Sequence, residues 1–171
     1  MKTGLQFKGR FSIRCFNRDG EPKWLRSARN TVLNAALDNV LNVYFHEGAP
    51  VATWYMGLID DSPTTDPGDI MTSHTGWTEN TKYAGNRKAF VEAAAGSQSL
   101  SNTASPAAFV MNDTTVVAGA FLCGAATGTS CLLFCAAEFD EGDAEAEDGD
   151  ATGFCLSVRF VRFLPDGRYV H

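Results

Sequence analysis

Gly153-Phe154-Cys155-Leu156-Ser157-Val158-Arg159-Phe160-Val161-Arg162-Phe163 is the stretch that decides the fold class. Phe154, Leu156, Val158 and Phe160 alternate with Ser157 and Arg159, so an extended chain here has one apolar and one polar face. Working outward, the same alternation recurs in Arg10–Asn17, where Phe11, Ile13 and Cys15 alternate with Ser12 and Arg14. Asn17 to Pro22 is dense in turn residues, and Asp19-Gly20 is a hairpin signal, so Lys23–Arg29 reads as the returning strand. Further strands are expected at Arg87–Glu92, Ala107–Asn112, Thr115–Cys123 and Ser130–Phe139, with Gly96–Ser105 as a loop.

Two segments break the pattern. In Thr31–Phe45, the residues Val32, Leu33, Ala36, Leu37, Val40, Leu41, Tyr44 and Phe45 form a stripe at helical spacing, opposite Asn34, Asp38 and Asn42. Asn30 or Thr31 is placed to cap this helix, and Gly48 with Pro50 to end it. The stripe suits docking on a sheet or an oligomer contact. Val51–Ile59 is nearly all apolar and reads as a central strand buried on both faces. A long loop rich in Asp, Pro, Thr and Ser then runs from Asp60 to Tyr83, with Trp77 as its anchor. Short strands at this spacing, joined by turns, predict a mainly β fold: an antiparallel β-sandwich, jelly-roll-like or Ig-like, with one amphipathic helix at about 31–45 packed on it.

The chain has 171 residues, 44% of them hydrophobic and 20% charged, which fits one globular domain over 1–171 with a possible N-terminal arm at 1–8. The net charge of −6 argues against phosphate-based binding of nucleic acid. The opening Met1–Lys8 does not read as a secretory leader, and no run is long enough for a membrane-spanning helix, so a soluble protein made in the cytoplasm is expected. Cys15, Cys123, Cys131, Cys135 and Cys155 are an odd set and read as buried thiols. Cys131 and Cys135 lack zinc-knuckle spacing and would share a face if both lay in one strand.

Catalytic signatures are lacking. His46, His74 and His171 are scattered, no serine sits in a nucleophile elbow, and no phosphate loop, dinucleotide fingerprint or zinc helix is present. We therefore expect no catalytic residues and no cofactor. The run Asp140 to Asp150 places seven carboxylates among eleven residues. Asp140, Asp143, Asp148 and Asp150 are candidate Ca²⁺ ligands, although the EF-hand pattern fails. The alternative is a solvated hairpin loop whose charge protects an edge. Asp60, Asp61, Asp66 and Asp69 form a second acidic group that Asx turns explain equally well.

Several segments in the same order resemble a family of small tailed-phage virion-associated proteins encoded among head and tail genes. They are Lys23-Trp24, Asn30-Thr31-Val32, Thr53–Ile59, Met71–Glu79, Arg87 with Phe90, Ser101–Ala107, Val117–Leu122 and the Gly149-Asp150 turn. Ser73-His74-Thr75-Gly76-Trp77-Thr78-Glu79 is the most distinctive. The likeness spans most of residues 23–163, and the acidic run is more charged here than in the family. It implies a structural protein of a tailed-phage virion and carries no catalytic residues.

The first expectation is a capsid decoration or cement protein, trimeric, partnered by the major capsid protein. A tail, adaptor or fibre-anchoring component is the alternative. A carbohydrate-binding module using Trp24, Trp54 and Trp77 as platforms is a third. His74, Trp77 and Glu79 are interface candidates; in the other reading, His74 and Glu79 hydrogen-bond the loop's own backbone while Trp77 fills a core socket.

Overall fold

The computed structural model describes residues 5–61, 63–163 and 169–170. Two long strands, β1 (Leu5–Phe16) and β2 (Pro22–Val32), precede a helix, α1 (Asn34–Phe45). Next come β3 (Tyr55–Ile59), β4 (Glu79–Asn80), β5 (Lys88–Ala89), β6 (Ser99–Ser101), β7 (Ala107–Val110), β8 (Thr115–Val117), β9 (Gly119–Cys123) and β10 (Leu133–Glu138). The last are β11 (Ala144–Ala146), β12 (Ala151–Phe163) and β13 (Tyr169–Val170). The protein is mainly β and antiparallel, with one helix among the described residues.

The strands form one curled sheet in the order β13-β12-β1-β2-β10-β9-β3-β4, while β8 and β11 pair separately. β12 is the long rail: β1 lies along one edge from Phe16↔Ala151 to Leu5↔Arg162, and β7, β6 and β13 line the other. The curl is made in β2. Its residues up to Asn30 pair with β1, whereas Thr31 and Val32 pair with Ala136 and Cys135 of β10. One strand thus serves both halves and turns the corner between them, as in sandwich-like packings.

Side-chain alternation builds two cores. Phe11, Ile13 and Cys15 of β1 and Ala28 of β2 meet Met56, Leu58, Ala120, Leu122, Cys135 and Ala137 from the second half. The intervening residues of that half (Ile59, Phe121, Cys123 and Ala136) point the other way, to a second cluster closed by Leu33, Met71 and Trp77. β3 is therefore buried on both faces, as its apolar run predicts, although it takes only Tyr55–Ile59 of the expected Val51–Ile59, and Ala52 and Thr53 lie exposed ahead of it. Gly57 is required there: a Cβ would run into the Phe121 ring, which lies across the strand.

The structure corrects several expected boundaries. The helix starts at Asn34, not at 31, because β-branched Thr31 and Val32 are taken into the sheet. Neither Asn30 nor Thr31 caps it. Leu33 holds the N-cap position without a side-chain hydrogen bond, and the first turn is tied by Leu33 N–H to Phe134 O and Asn34 N–H to Pro67 O. At the far end Glu47, not Gly48, adopts the left-handed conformation (φ 55°), while the Gly48 N–H closes on Asn42 O. The 96–105 loop contains β6, and 115–123 breaks at Ala118 into β8 and β9, which pair with different partners. Leu5–Lys8 of the suggested arm pair with Arg162–Arg159; residues 1–4 lie outside the described residues.

Gly57→Ala is expected to destabilise the fold by about 1–3 kcal/mol, the usual range for overpacking a closed core. Urea unfolding checks this; an unchanged midpoint would contradict the seating of Phe121.

Candidate assembly surface

The Ser73–Glu79 motif is used internally. Trp77 is buried against Phe121, with ring centroids 5.2 Å apart, and its Nε1–H donates to Asp69 Oδ2 at 3.0 Å. The same carboxylate oxygen accepts the Asp66 N–H, and Asp66 Oδ1 accepts the Gly68 N–H. This part of the second acidic group is thus a set of loop-closing turns. His74 stacks on Trp77 at 3.8 Å, and its Nδ1 lies 3.0 Å from Trp77 O. Glu79 does not bond the loop backbone; it takes a two-pronged hydrogen bond from Arg87, at 2.7 and 2.6 Å.

Arg87 is buried and fully occupied. Besides Glu79, its Nη1 donates to Ala125 O and Gly128 O, and its guanidinium lies 5.3 Å from the Phe121 ring centre. The hydrogen bonds to Glu79 push its pKa up against the effect of burial. A cleft of about 200 Å³ lies beside the pair, but both charges are engaged with each other. In the sequence Arg87 heads the expected Arg87–Glu92 strand and is one of the residues of the phage likeness, whereas β5 takes only Lys88 and Ala89. The isolation of Arg87 in a polar, glycine-containing stretch gave no periodic signal for a buried cation.

The acidic run is not a plain loop. Ala144 and Ala146 are buried while Glu145 points outward, and β11 pairs with β8. Among the candidate cation ligands, Asp140 faces Arg10 at 3.4 Å, Asp148 faces Arg18 at 2.8 Å, and Asp150 holds Lys23 at 2.8 Å. Asp143 lies exposed in the turn. Among the described residues, no group of three or more His, Cys, Asp or Glu side chains is gathered to hold an ion. Asp150 is instead a buried latch. It accepts the Lys23 ammonium and the Glu147 N–H and lies 3.8 Å from the Cys15 thiol, so it ties β2 to the end of the acidic run.

Burial pushes the Asp150 carboxyl up, but the Lys23 hydrogen bond, the Glu147 N–H and the Lys23 charge outweigh it and leave it below the ordinary value. The thiols are the reverse case. Burial, then the Asp150 charge, raises Cys15 to about 12, and burial raises Cys135 to about 12 and Cys123 to about 11. All three stay protonated at neutral pH and are poor nucleophiles. Cys131 lies before β10, so the condition for a shared face is not met: Cys135 is buried in the first core, and Cys131 packs against the second. The Cys155 side chain lies outside the described residues.

The tryptophans are also committed. Trp77 is in the second core. Trp24 is half-buried against Phe139 and donates to Glu145 O, and Trp54 sits edge-on to Phe134 at 5.2 Å. Trp77 is closed off, while Trp24 and Trp54 are half-buried and hold ring contacts within the fold.

The outer side of α1 is different. Ala36 is buried and Val40 and Val43 are half-buried, so the helix touches the sheet through its inner side. Leu37 (36%), Leu41 (56%), Tyr44 (79%) and Phe45 (83%) face out. The single stripe of the sequence thus splits into two apolar faces, and only one is covered. Tyr44 also borders an apolar pocket of about 340 Å³ between the two halves of the sheet, walled by Phe7, Trp54, Phe90, Leu100, Leu122 and Phe134.

Comparison with known proteins brings no match to any protein-family model and none to a curated protein. Among the described residues, no helix is long and apolar enough to cross a membrane.

Two outcomes are expected. Glu79→Ala strands the buried Arg87 charge and should cost about 3–5 kcal/mol in urea unfolding. For Asp150, a folded pKa below its unfolded value of about 3.9 means a contribution fully present above about pH 5 and lost as the pH falls through the folded value. Thermal melts from pH 7 to 3 should therefore show Asp150→Asn less stable than the parent at pH 7, with the gap narrowing on the acid side. A constant gap would count against the latch.

Proposed function

We propose that this chain is a structural virion protein of a tailed phage, a capsid decoration or cement protein that binds the major capsid protein and has no catalytic role. The observation that carries an assembly role is the uncovered apolar side of α1. Four large side chains at helical spacing stand in solvent although the helix already has a covered inner side. Contiguous exposed apolar strips of this kind mark interaction surfaces. The virion address rests on the ordered likeness of residues 23–163 to small phage virion-associated proteins.

The physical character of the chain supports the same reading. The distinctive Ser73–Glu79 loop, the Asp150 latch and the Glu79–Arg87 pair use their polar groups to hold the fold together. A domain stapled across its loops in this way suits a clamp on a shell. The internal commitment of Trp24, Trp54 and Trp77 speaks against a carbohydrate-binding module.

Quantitative mass spectrometry of purified particles of the encoding phage tests the proposal. Hundreds of copies per particle are expected for a shell protein of this kind. A copy number of one small ring would move the protein to the tail or connector, and absence from the particle would overturn the virion reading.

A further inference from the structure

We propose that the outer side of α1 and the adjacent apolar pocket form a self-association site, in which Phe45 of one copy seats in the pocket of a second copy of this chain. The inference rests on reading α1 as an assembly face and not on the address in a virion.

Three observations select a second copy as the occupant. Leu37, Leu41 and Tyr44 follow the four-then-three spacing of a helix–helix seam. Such a seam suits the same helix of another copy, and α1 itself carries one charged residue, Asp38. Second, a projection and a cavity sit side by side. Phe45 is 83% exposed, and the neighbouring Tyr44 ring, 6.3 Å away, forms part of the pocket wall. Every copy therefore offers one knob and one hole, and a closed ring satisfies all of them, whether it holds two chains or three. The pocket volume of about 340 Å³ accommodates an aromatic ring, and its walls are apolar side chains that gain from losing water.

The third observation is area. Aromatic side chains carry roughly 150–250 Å² each, so Tyr44 and Phe45 expose roughly 300 Å² together. Leu37 and Leu41 take the strip into the range of patches that mark interaction sites. A stable interface needs roughly 800 Å² per partner, with an apolar centre and a polar rim. The α1 strip supplies the centre. The pocket mouth, which includes Glu92, Gln98 and Ser99, supplies part of the rim.

Light scattering on the full chain, with two substitutions on opposite sides of the contact, provides the test. Phe45→Glu removes the knob. Ala95→Trp blocks the hole from an exposed loop position without entering the core. The parent should have the mass of two or three chains, and each variant should shift towards monomer with self-affinity weakened roughly 30-fold or more, as for loss of a hot-spot aromatic. Circular dichroism should be unchanged in both. If Phe45→Glu does not fold, Ala95→Trp reads the same contact. A parent that stays monomeric up to about 100 μM overturns the proposal, because a weaker contact would lie outside the range of specific assembly. So does an oligomer that Ala95→Trp leaves intact. A monomer found in high copy on particles would sink self-association and leave the decoration reading standing; an oligomer absent from particles would do the opposite.

Discussion

The Phe121 ring lying across Gly57 is the contact on which the rest of the second half depends. β3 and β9 are paired at these two residues, and the absence of a side chain on one strand makes the seat for the ring on the other. The same ring also meets Trp77 and the Arg87 guanidinium. Trp77 brings in the long loop and Arg87 brings in Glu79, so a single aromatic organises a segment with almost no regular structure of its own. Aromatic clusters add modestly beyond their buried area. Their weight here comes from the charged and hydrogen-bonding groups they position.

A second constraint acts at β2. Its first nine residues run with β1, and its last two are captured by β10. That exchange curls the sheet on itself and brings two apolar faces together. It also sets where the helix can begin. With Leu33 drawn into the second core and its N–H bonded to Phe134 O, α1 leaves the sheet at an angle that covers Ala36 and abandons Leu37, Leu41, Tyr44 and Phe45. The helix sequence makes the stripe apolar, and the strand exchange sets which part of it is covered.

Electrostatics follows the same division. The acidic run offers oxygen ligands by composition, yet Asp140, Glu147, Asp148 and Asp150 pair with basic residues of the β1–β2 hairpin and its turn. Asp148 meets Arg18 and Asp140 meets Arg10 in solvent, where such pairs contribute little. Asp150 differs because it is buried and takes several hydrogen bonds. The partners of these charges lie more than a hundred residues away, so no local reading of the run could have found them.

The sequence by itself determined the mainly β antiparallel class, the β1–β2 hairpin at Asp19-Gly20, the doubly buried strand ending at Ile59, and the role of Trp77 as an anchor. These follow from period-two alternation, turn chemistry and unbroken apolarity, all of which are local. Only the tertiary structure decided that Thr31 and Val32 are strand, that Ala144–Ala146 is a strand inside a charged run, that Glu79 faces Arg87, and that half of the helix stripe is left uncovered. Each of those depends on which distant segment arrives alongside. Periodicity records that a face is apolar, but the strand that turns the corner at β2 decides what that face meets.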